Sequence, residues 1–371
     1  MPSKKEKSPA VTPPQLNGLR ERMDALSLQL LRTLSERAAI AIEIGKLKHR
    51  DGAEVYQPAR ERQVIDRMVE ENGGPLSDDQ IRRIFTEIIS ACRALEHIPR
   101  IAFLGPEHTY SHEAARAHFG SSVELAPQAS IAAVFQAVEN GRADFGVVPV
   151  ENSTEGSVTL TLDLLIDTPL SIIGETMLPI RHSLLSKSGD SASIKRIVSH
   201  QQSLAQCRGY LATNFPRIET EAVESNAVAA QRAAKEPWVA AIASAAAGEA
   251  YGLKTIAANI QDVAANATRF IVMGARPAGR SGADKTTVLF AVADRVGALH
   301  EAIGLFARNK INISKIESRP LRSRPWEYLF FADLQGHRED APLARALSAL
   351  KRKALFLKVM GSYPEGKPAA A

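Results

Sequence analysis

Apolar residues recur at Leu16, Leu19, Met23, Leu26, Leu30, Leu34, Ile44 and Leu47, with Ile40 or Ala41 between, which is the three-to-four spacing of one helix over residues 16 to 49. A second helix is expected from about Pro58 to Glu71 and a third from about Asp78 to Glu96. The turn signals Asp51-Gly52 and Asn72-Gly73-Gly74-Pro75 separate them. At ~1.5 Å per residue the first helix is ~50 Å long, more than two short neighbours can cover, so a second chain is expected against it.

From Ile101 the pattern changes to short apolar runs alternating with helical stretches, the mark of an α/β region. The runs IAFL, DFGVVPV, IKRIVS and WVAAIAS lead into GPEHTYS, ENSTEGS, SHQQS and ASAAAG. Ligands of open α/β sheets bind beyond the carboxyl ends of strands, and helix starts there favour anions. After the linker ARPAGRSGADK the order strand, helix, strand, strand, helix, strand predicts a ferredoxin-like βαββαβ unit. The chain thus divides into a tail at 1–15, a helical unit at 16–98, an α/β unit at 100–276 and an α+β unit at 284–364.

A length of 371 residues agrees with two or three domains rather than one core. With 45% hydrophobic and 23% charged residues, and no apolar stretch near the ~18 residues a span needs, the composition predicts no membrane crossing. MPSKKEKSPAVTPP has no apolar segment behind its basic residues, so a disordered tail and a cytoplasmic location are expected. Two cysteines, Cys92 and Cys207, are too few for a metal cluster and read as reduced thiols. A net charge of +5, with scattered Lys and Arg, argues against nucleic acid as a partner. The sequence has no GxGxxG or GxxxxGK[ST], so no nucleotide cofactor is expected.

Arg37 lies seven residues from both Leu30 and Ile44 and eleven before Lys48, which puts both cations on the apolar stripe of the first helix. Such cations snorkel outward, pair with acids or bind an anion, and Arg20 and Arg60 raise the number in this unit to four, with Glu61 adjacent. Residues 16 to 96 resemble the all-helical chorismate mutase family, whose intertwined dimers hold a dicarboxylate between helices of both chains. The resemblance implies that Arg20 of a partner chain and Arg37 bind the two carboxylates. It implies that Lys48 meets the ether oxygen, Glu61 the substrate hydroxyl, and that Arg60 supports them. Gln57 stands where an Asp is often found, Cys92 where a Ser is usual, and Glu96 where a Gln or Glu faces Lys48. Such a rearrangement needs a held conformer and positive charge on the breaking C–O bond, with no nucleophile. Glu96 can donate to that oxygen only as the acid, so mutase turnover is expected to fall as pH rises.

GPEHTYSHEAA, PVENSTEGSV, SHQQSLAQC, AAIAS and NATRF, in that order, make residues 101 to 274 resemble the prephenate dehydratase family, a two-lobed α/β fold. The resemblance implies that the Thr268 hydroxyl assists departure of the ring hydroxyl, and that Asn152, Ser199 and Gln206 line the same site with Glu151, Ser153, Thr154 and His200 nearby. Arg269 suits a substrate carboxylate or the packing of the lobe junction. Ser153, Thr154, Thr109 and Ser111 serve equally well as helix caps, and His200 as a structural histidine at a strand end. His108 stands where glycine is usual in its loop.

GALH, ESRP and WEYLFFADLQGH make residues 285 to 363 resemble an ACT domain of the phenylalanine-responsive kind. Gly297, Ala298, Leu299, Glu317, Ser318 and Arg319 are the implied effector residues. The whole implies a multifunctional enzyme of phenylalanine biosynthesis, converting chorismate to prephenate and on to phenylpyruvate. It implies phenylalanine as feedback effector, a homodimer or higher homo-oligomer, and neither metal nor organic cofactor. Two rivals stand beside it: a dehydratase whose helical unit serves only dimerisation, and a non-catalytic amino-acid sensor.

Overall fold

The computed structural model describes residues 13–51, 56–320 and 328–366. The expected tail lies outside them as far as residue 12, as do Gly52 of the first turn signal and Trp326 of the third motif in the α+β unit.

Three helices open the chain, α1 (Pro13–Asp51), α2 (Pro58–Glu70) and α3 (Asp78–Ala94). Pro58 starts α2, where its missing N–H costs nothing. Ser77 and Gln80 close a capping box on α3, the Ser77 hydroxyl accepting from the Gln80 N–H and the Gln80 side chain accepting from the Ser77 N–H. The apolar stripe of α1 stays in solvent: Leu19, Met23, Leu26, Leu30 and Leu47 are 55–64% exposed. One helix cannot hide such a face alone.

The α/β unit has two lobes. It runs β1 (Arg100–Leu104), α4 (Tyr110–Phe119), β2 (Glu124–Gln128), α5 (Ile131–Glu139), β3 (Phe145–Asn152), β4 (Gly156–Ser157), α6 (Thr159–Asp167) and β5 (Ser171–Pro179) before crossing over. The second lobe holds β6 (Ser183–Ser186), β7 (Arg196–His200), α7 (Gln201–Gln206), α8 (Arg208–Asn214), β8 (Glu219–Val223), α9 (Asn226–Lys235), β9 (Val239–Ala243), α10 (Ala245–Ala250) and β10 (Lys254–Ala257). The chain then returns to the first lobe as β11 (Ala267–Gly274). Strand order is β2-β1-β3-β11-β5 in one lobe, with β4 on β3, and β10-β6-β9-β7-β8 in the other. The crossings near residues 180 and 260 are stitched by Ile180 N–H to Asn266 O (2.8 Å) and Ile260 N–H to His182 O (2.9 Å).

The third unit is β12 (Asp284–Ala291), α11 (Ala298–Arg308), β13 (Ile313–Pro320), β14 (Tyr328–Gln335), α12 (Ala341–Lys353) and β15 (Phe356–Pro364), with strand order β13-β14-β12-β15. This is the expected ferredoxin-like arrangement. Its open sheet face shares a core with the first lobe, where Leu289, Phe331, Met360 and Tyr363 meet Leu162, Leu165 and Ile172. Gly361 permits that contact, because a Cβ there would lie 2.0 Å from the carbonyl oxygen of Ile172. Among the described residues no helix is long and apolar enough to cross a membrane.

Candidate functional site

A cleft of about 1110 Å³ opens between the two lobes, lined by residues that include Thr109, Tyr110, Ser111, Asn152, His182, His200, Gln206 and Thr268. Thr268 and Asn152 face each other across the β11–β3 pair, and the Asn152 amide Nδ2 donates to Thr268 Oγ1 at 2.9 Å. Asn152 cannot rotate away, because its Oδ1 accepts from the N–H groups of Thr154 (3.0 Å) and Glu155 (3.2 Å). The Thr268 hydroxyl therefore uses a lone pair toward Asn152 and keeps its proton for the cleft.

Further polar groups extend the chain. Asn152 Nδ2 also donates to Asn266 Oδ1 (2.9 Å), Asn266 Nδ2 donates to Gln206 Oε1 (3.0 Å), and His182 Nε2 lies 2.9 Å from the same oxygen. Neither Asn266 nor His182 is singled out by the sequence motifs. Asn266 sits in the NATRF motif two residues before Thr268, which is a usable signal; His182 has none. Thr154 joins the cluster, its hydroxyl donating to Asn152 Oδ1 (2.6 Å) and accepting from Gln206 Nε2 (3.3 Å). Thr109 caps α4 as expected, accepting from the His112 N–H. His108 takes the place of glycine with a left-handed φ of 62°. His200 lines the cleft and caps α7.

Five expected site residues do not line the cleft, Thr154 of the cluster above among them. Arg269 is next to Thr268 on β11, so its side chain leaves by the opposite face. There Nε donates to Glu175 (2.7 Å), one terminal nitrogen to Asp333 (2.5 Å) and the other to the Tyr363 hydroxyl (3.0 Å), while Lys285 donates to Glu175 at 2.8 Å. Arg269 thus joins the cleft strand to the third unit and does not line the cleft. Glu151 shares that face, 2.9 Å from Lys315 of β13 and 3.8 Å from Arg269. Ser199 is fully buried, its hydroxyl donating to Ile242 O (2.6 Å) with Asn226 Oδ1 3.1 Å away, beneath the cleft. Ser153 is exposed and ties the β3–β4 turn to the start of β11, donating to Ala265 O and accepting from the Ala267 N–H, so it caps no helix.

In the helical unit, Arg37 donates to Cys92 Sγ (2.8 Å), and Lys48 lies 3.7 Å from a buried oxygen of Glu96. The two cations and the side chains of α3 therefore share one face. Arg20 lies on the exposed part of α1, seventeen residues or ~25 Å along the axis from Arg37, beyond reach of the same pocket. Glu61 is held by Arg93 instead (2.7 and 2.8 Å), which also donates to Phe119 O of the α/β unit. Burial holds the Glu61 carboxyl above its ordinary range despite Arg93. Gln57 and Arg60 line a separate hollow with Arg276 and Arg280 of the linker. In one chain, then, these residues are not one pocket.

In the third unit Gly297, at a φ of 80°, precedes α11, with Ala298 buried and Leu299 packed on the helix core. Glu317 and Arg319 point the other way. Glu317 accepts from the Ser157 hydroxyl, and Arg319 donates to Asp163 at 2.6 Å. In this chain both side chains are engaged by the α/β unit. Ser318, between them, is exposed.

Family models match residues 19–97 as chorismate mutase type II, 101–278 as prephenate dehydratase and 286–352 as ACT domain. The bifunctional chorismate mutase/prephenate dehydratase of Aquifex aeolicus (strain VF5) is 42% identical over 355 residues, 95% of this chain and 98% of that relative. The solved prephenate dehydratase from Arthrobacter aurescens, in complex with L-Phe, is 34% identical with a TM-score of 0.67, covering 73% of this chain and 92% of that one. GqqA, described as a quorum-quenching acylase, is 33% identical with a TM-score of 0.65, covering 72% and 98%. The two-lobed fold alone thus does not fix a reaction; the likeness over nearly the full length, helical unit included, narrows it.

Proposed function

The chain belongs to the bifunctional chorismate mutase/prephenate dehydratase family, and from that premise we propose which residues carry each reaction. The protein converts chorismate to prephenate and prephenate to phenylpyruvate, two steps of phenylalanine biosynthesis. We delimit the working units at 16–98, 100–276 and 284–364.

In the dehydratase cleft, the C–C bond to the ring carboxylate breaks and carbon dioxide leaves. Its electron pair enters the ring and expels the hydroxyl at the far end, which takes a proton and departs as water. Thr268 donates the hydrogen bond to that departing oxygen, and solvent restores the proton. A threonine hydroxyl is a weak acid, so position rather than acidity supplies the effect. The observation that carries this reading is the 2.9 Å bond from Asn152, which turns the Thr268 proton toward the cleft. Gln206 and His200 complete the contacts.

In the mutase reaction, Arg37 and Lys48 supply the positive charge and Glu96 the opposing donor to the ether oxygen. Arg20 enters from a second chain whose α1 covers the exposed stripe. Glu61 leaves Arg93 for the substrate hydroxyl, with Gln57, Arg60 and Cys92 around it. A homodimer is therefore part of this reading, and so is a cytoplasmic location.

Phenylalanine as effector suits the start of α11 at Gly297, Ala298 and Leu299, with support from the L-Phe bound to the Arthrobacter relative. Glu317 and Arg319 then act as transmitters to the dehydratase lobe, for a coupling of ~1–3 kcal/mol. The test is to supply chorismate, follow its loss and the appearance of phenylpyruvate, then add phenylalanine. Chorismate loss without phenylpyruvate would remove the role of Thr268; phenylpyruvate formation indifferent to phenylalanine would remove that of Gly297.

A further inference from the structure

His182 is 1% exposed, lies where the chain crosses between the lobes, and has no part in the chemistry above. Its surroundings fix what it does. The N–H groups of Thr154 and Glu155 settle the orientation of the Asn152 amide, since backbone nitrogens can only donate. Asn152 Nδ2 then makes Asn266 present Oδ1 to it and Nδ2 to Gln206, which in turn must present Oε1. That oxygen also faces His182 Nε2 at 2.9 Å, so Nε2 carries a proton and donates. On the other side of the ring, Nδ1 lies 3.0 Å from the Tyr110 hydroxyl. Burial lowers the affinity of His182 for a second proton, although its bond to Gln206 opposes this.

We propose that His182 is a positioning residue of the dehydratase site: its Nε2–H pins Gln206 across the hinge so that the Gln206 amide N–H₂ faces the cleft and binds a substrate carboxylate. Gln206 Nε2 is weakly engaged, 3.3 Å from Thr154 Oγ1 and 3.4 Å from Glu155 Oε1. A substrate carboxylate at ordinary hydrogen-bond length displaces both of these long contacts, the neutral one to Thr154 and the stretched one to the Glu155 carboxylate. Gln206 comes from the second lobe, Asn266 and Thr154 from the first, and His182 from the crossing between them. The imidazole therefore fixes one lobe's donor against the other lobe's catalytic strand.

The inference rests on Gln206 belonging to the prephenate site, and the experiment separates the two. Full-length protein carrying His182→Leu, His182→Gln or Gln206→Leu is assayed with prephenate, with the mutase rate of each sample reporting its folding. The Leu variant at 182 is expected to raise KM for prephenate about tenfold, the worth of one neutral-to-charged hydrogen bond, with a smaller change in kcat. His182→Gln, which restores an N–H donor, is expected to recover most of that loss. A His182→Leu enzyme with unchanged KM, or a Gln variant as impaired as the Leu variant, overturns the proposal. A silent Gln206→Leu overturns instead the placing of Gln206 in the site.

Discussion

The dehydratase cleft and the mutase helices use the same kinds of group and finish in different states. In the cleft, Asn152, Asn266, Gln206 and Thr268 come from two lobes of one chain and already touch. In the helical unit, Arg37 and Lys48 face α3, Arg20 lies far along α1, and Glu61 is occupied by Arg93. The α1 stripe is exposed, whereas the cleft strand β11 is buried along nearly its whole length. A site between lobes is completed by folding. On the reading proposed above, a site between helices whose apolar faces are open is completed by association.

The sharpest test of this contrast is Arg269, because a cleft ligand and a buried tie behave oppositely on removal. Arg269→Met is expected to lower stability by about 3–5 kcal/mol, since Glu175 and Asp333 lose their central counter-ion. Urea denaturation measures it; unchanged stability with a raised KM for prephenate would return Arg269 to the substrate. Next is Thr268→Ala, expected to slow phenylpyruvate formation ~10²–10³-fold, as loss of one transition-state donor does. The mutase rate of the same sample should not move, and a parallel fall would merge the two sites.

The mutase half is tested by mixing. Arg20→Ala and Arg37→Ala proteins are each expected to lose ~10²-fold in mutase rate. Refolded together they should regain up to about one quarter of the sites, because half the random dimers are mixed and each of those has one intact site. No regain would mean that Arg20 serves its own chain.

The smallest effect is a pH dependence at the seam between the two regions. His118 Nε2 meets the Tyr56 hydroxyl (2.7 Å) and Nδ1 the Thr176 hydroxyl (2.8 Å), and burial pushes its imidazole down to about 3 from an ordinary value near 6.5. Above 6.5 folded and unfolded chains are both neutral there, and no stability depends on it. Below 6.5 the unfolded chain takes up the proton first, so stability falls with acid by at most about 1.4 kcal/mol per pH unit, down to pH near 3. Between pH 7 and pH 5 the urea midpoint of the wild type should fall further than that of His118→Gln; equal shifts in both would place the acid sensitivity elsewhere.

Much of this was legible in order and period. The three helices, the ferredoxin-like order and the motifs around Asn152, Gln206 and Thr268 follow from spacing and resemblance. Three of the residues that miss the cleft share one cause. Thr268 with Arg269, Asn152 with Glu151, and His200 with Ser199 are neighbours on strands, so the two members of each pair point to opposite faces. That rule was available from the residues and excludes both members lining one cleft. His182 and Tyr110 carried no such signal, since 72 residues separate them and the crossing of the chain alone brings them together.

By itself the sequence determined which segments are helix or strand, because hydrophobic period is a local property of the chain. It also pointed to Asn152, Gln206 and Thr268, which the structure brings together. Tertiary structure alone decided which face of β11 and β3 meets the cleft and which meets the third unit. It decided that Glu317 and Arg319 grip the α/β unit, and that His182 reaches Gln206. Those outcomes depend on how sheets and lobes pack, which is set by burial summed over distant residues rather than by any single stretch of them.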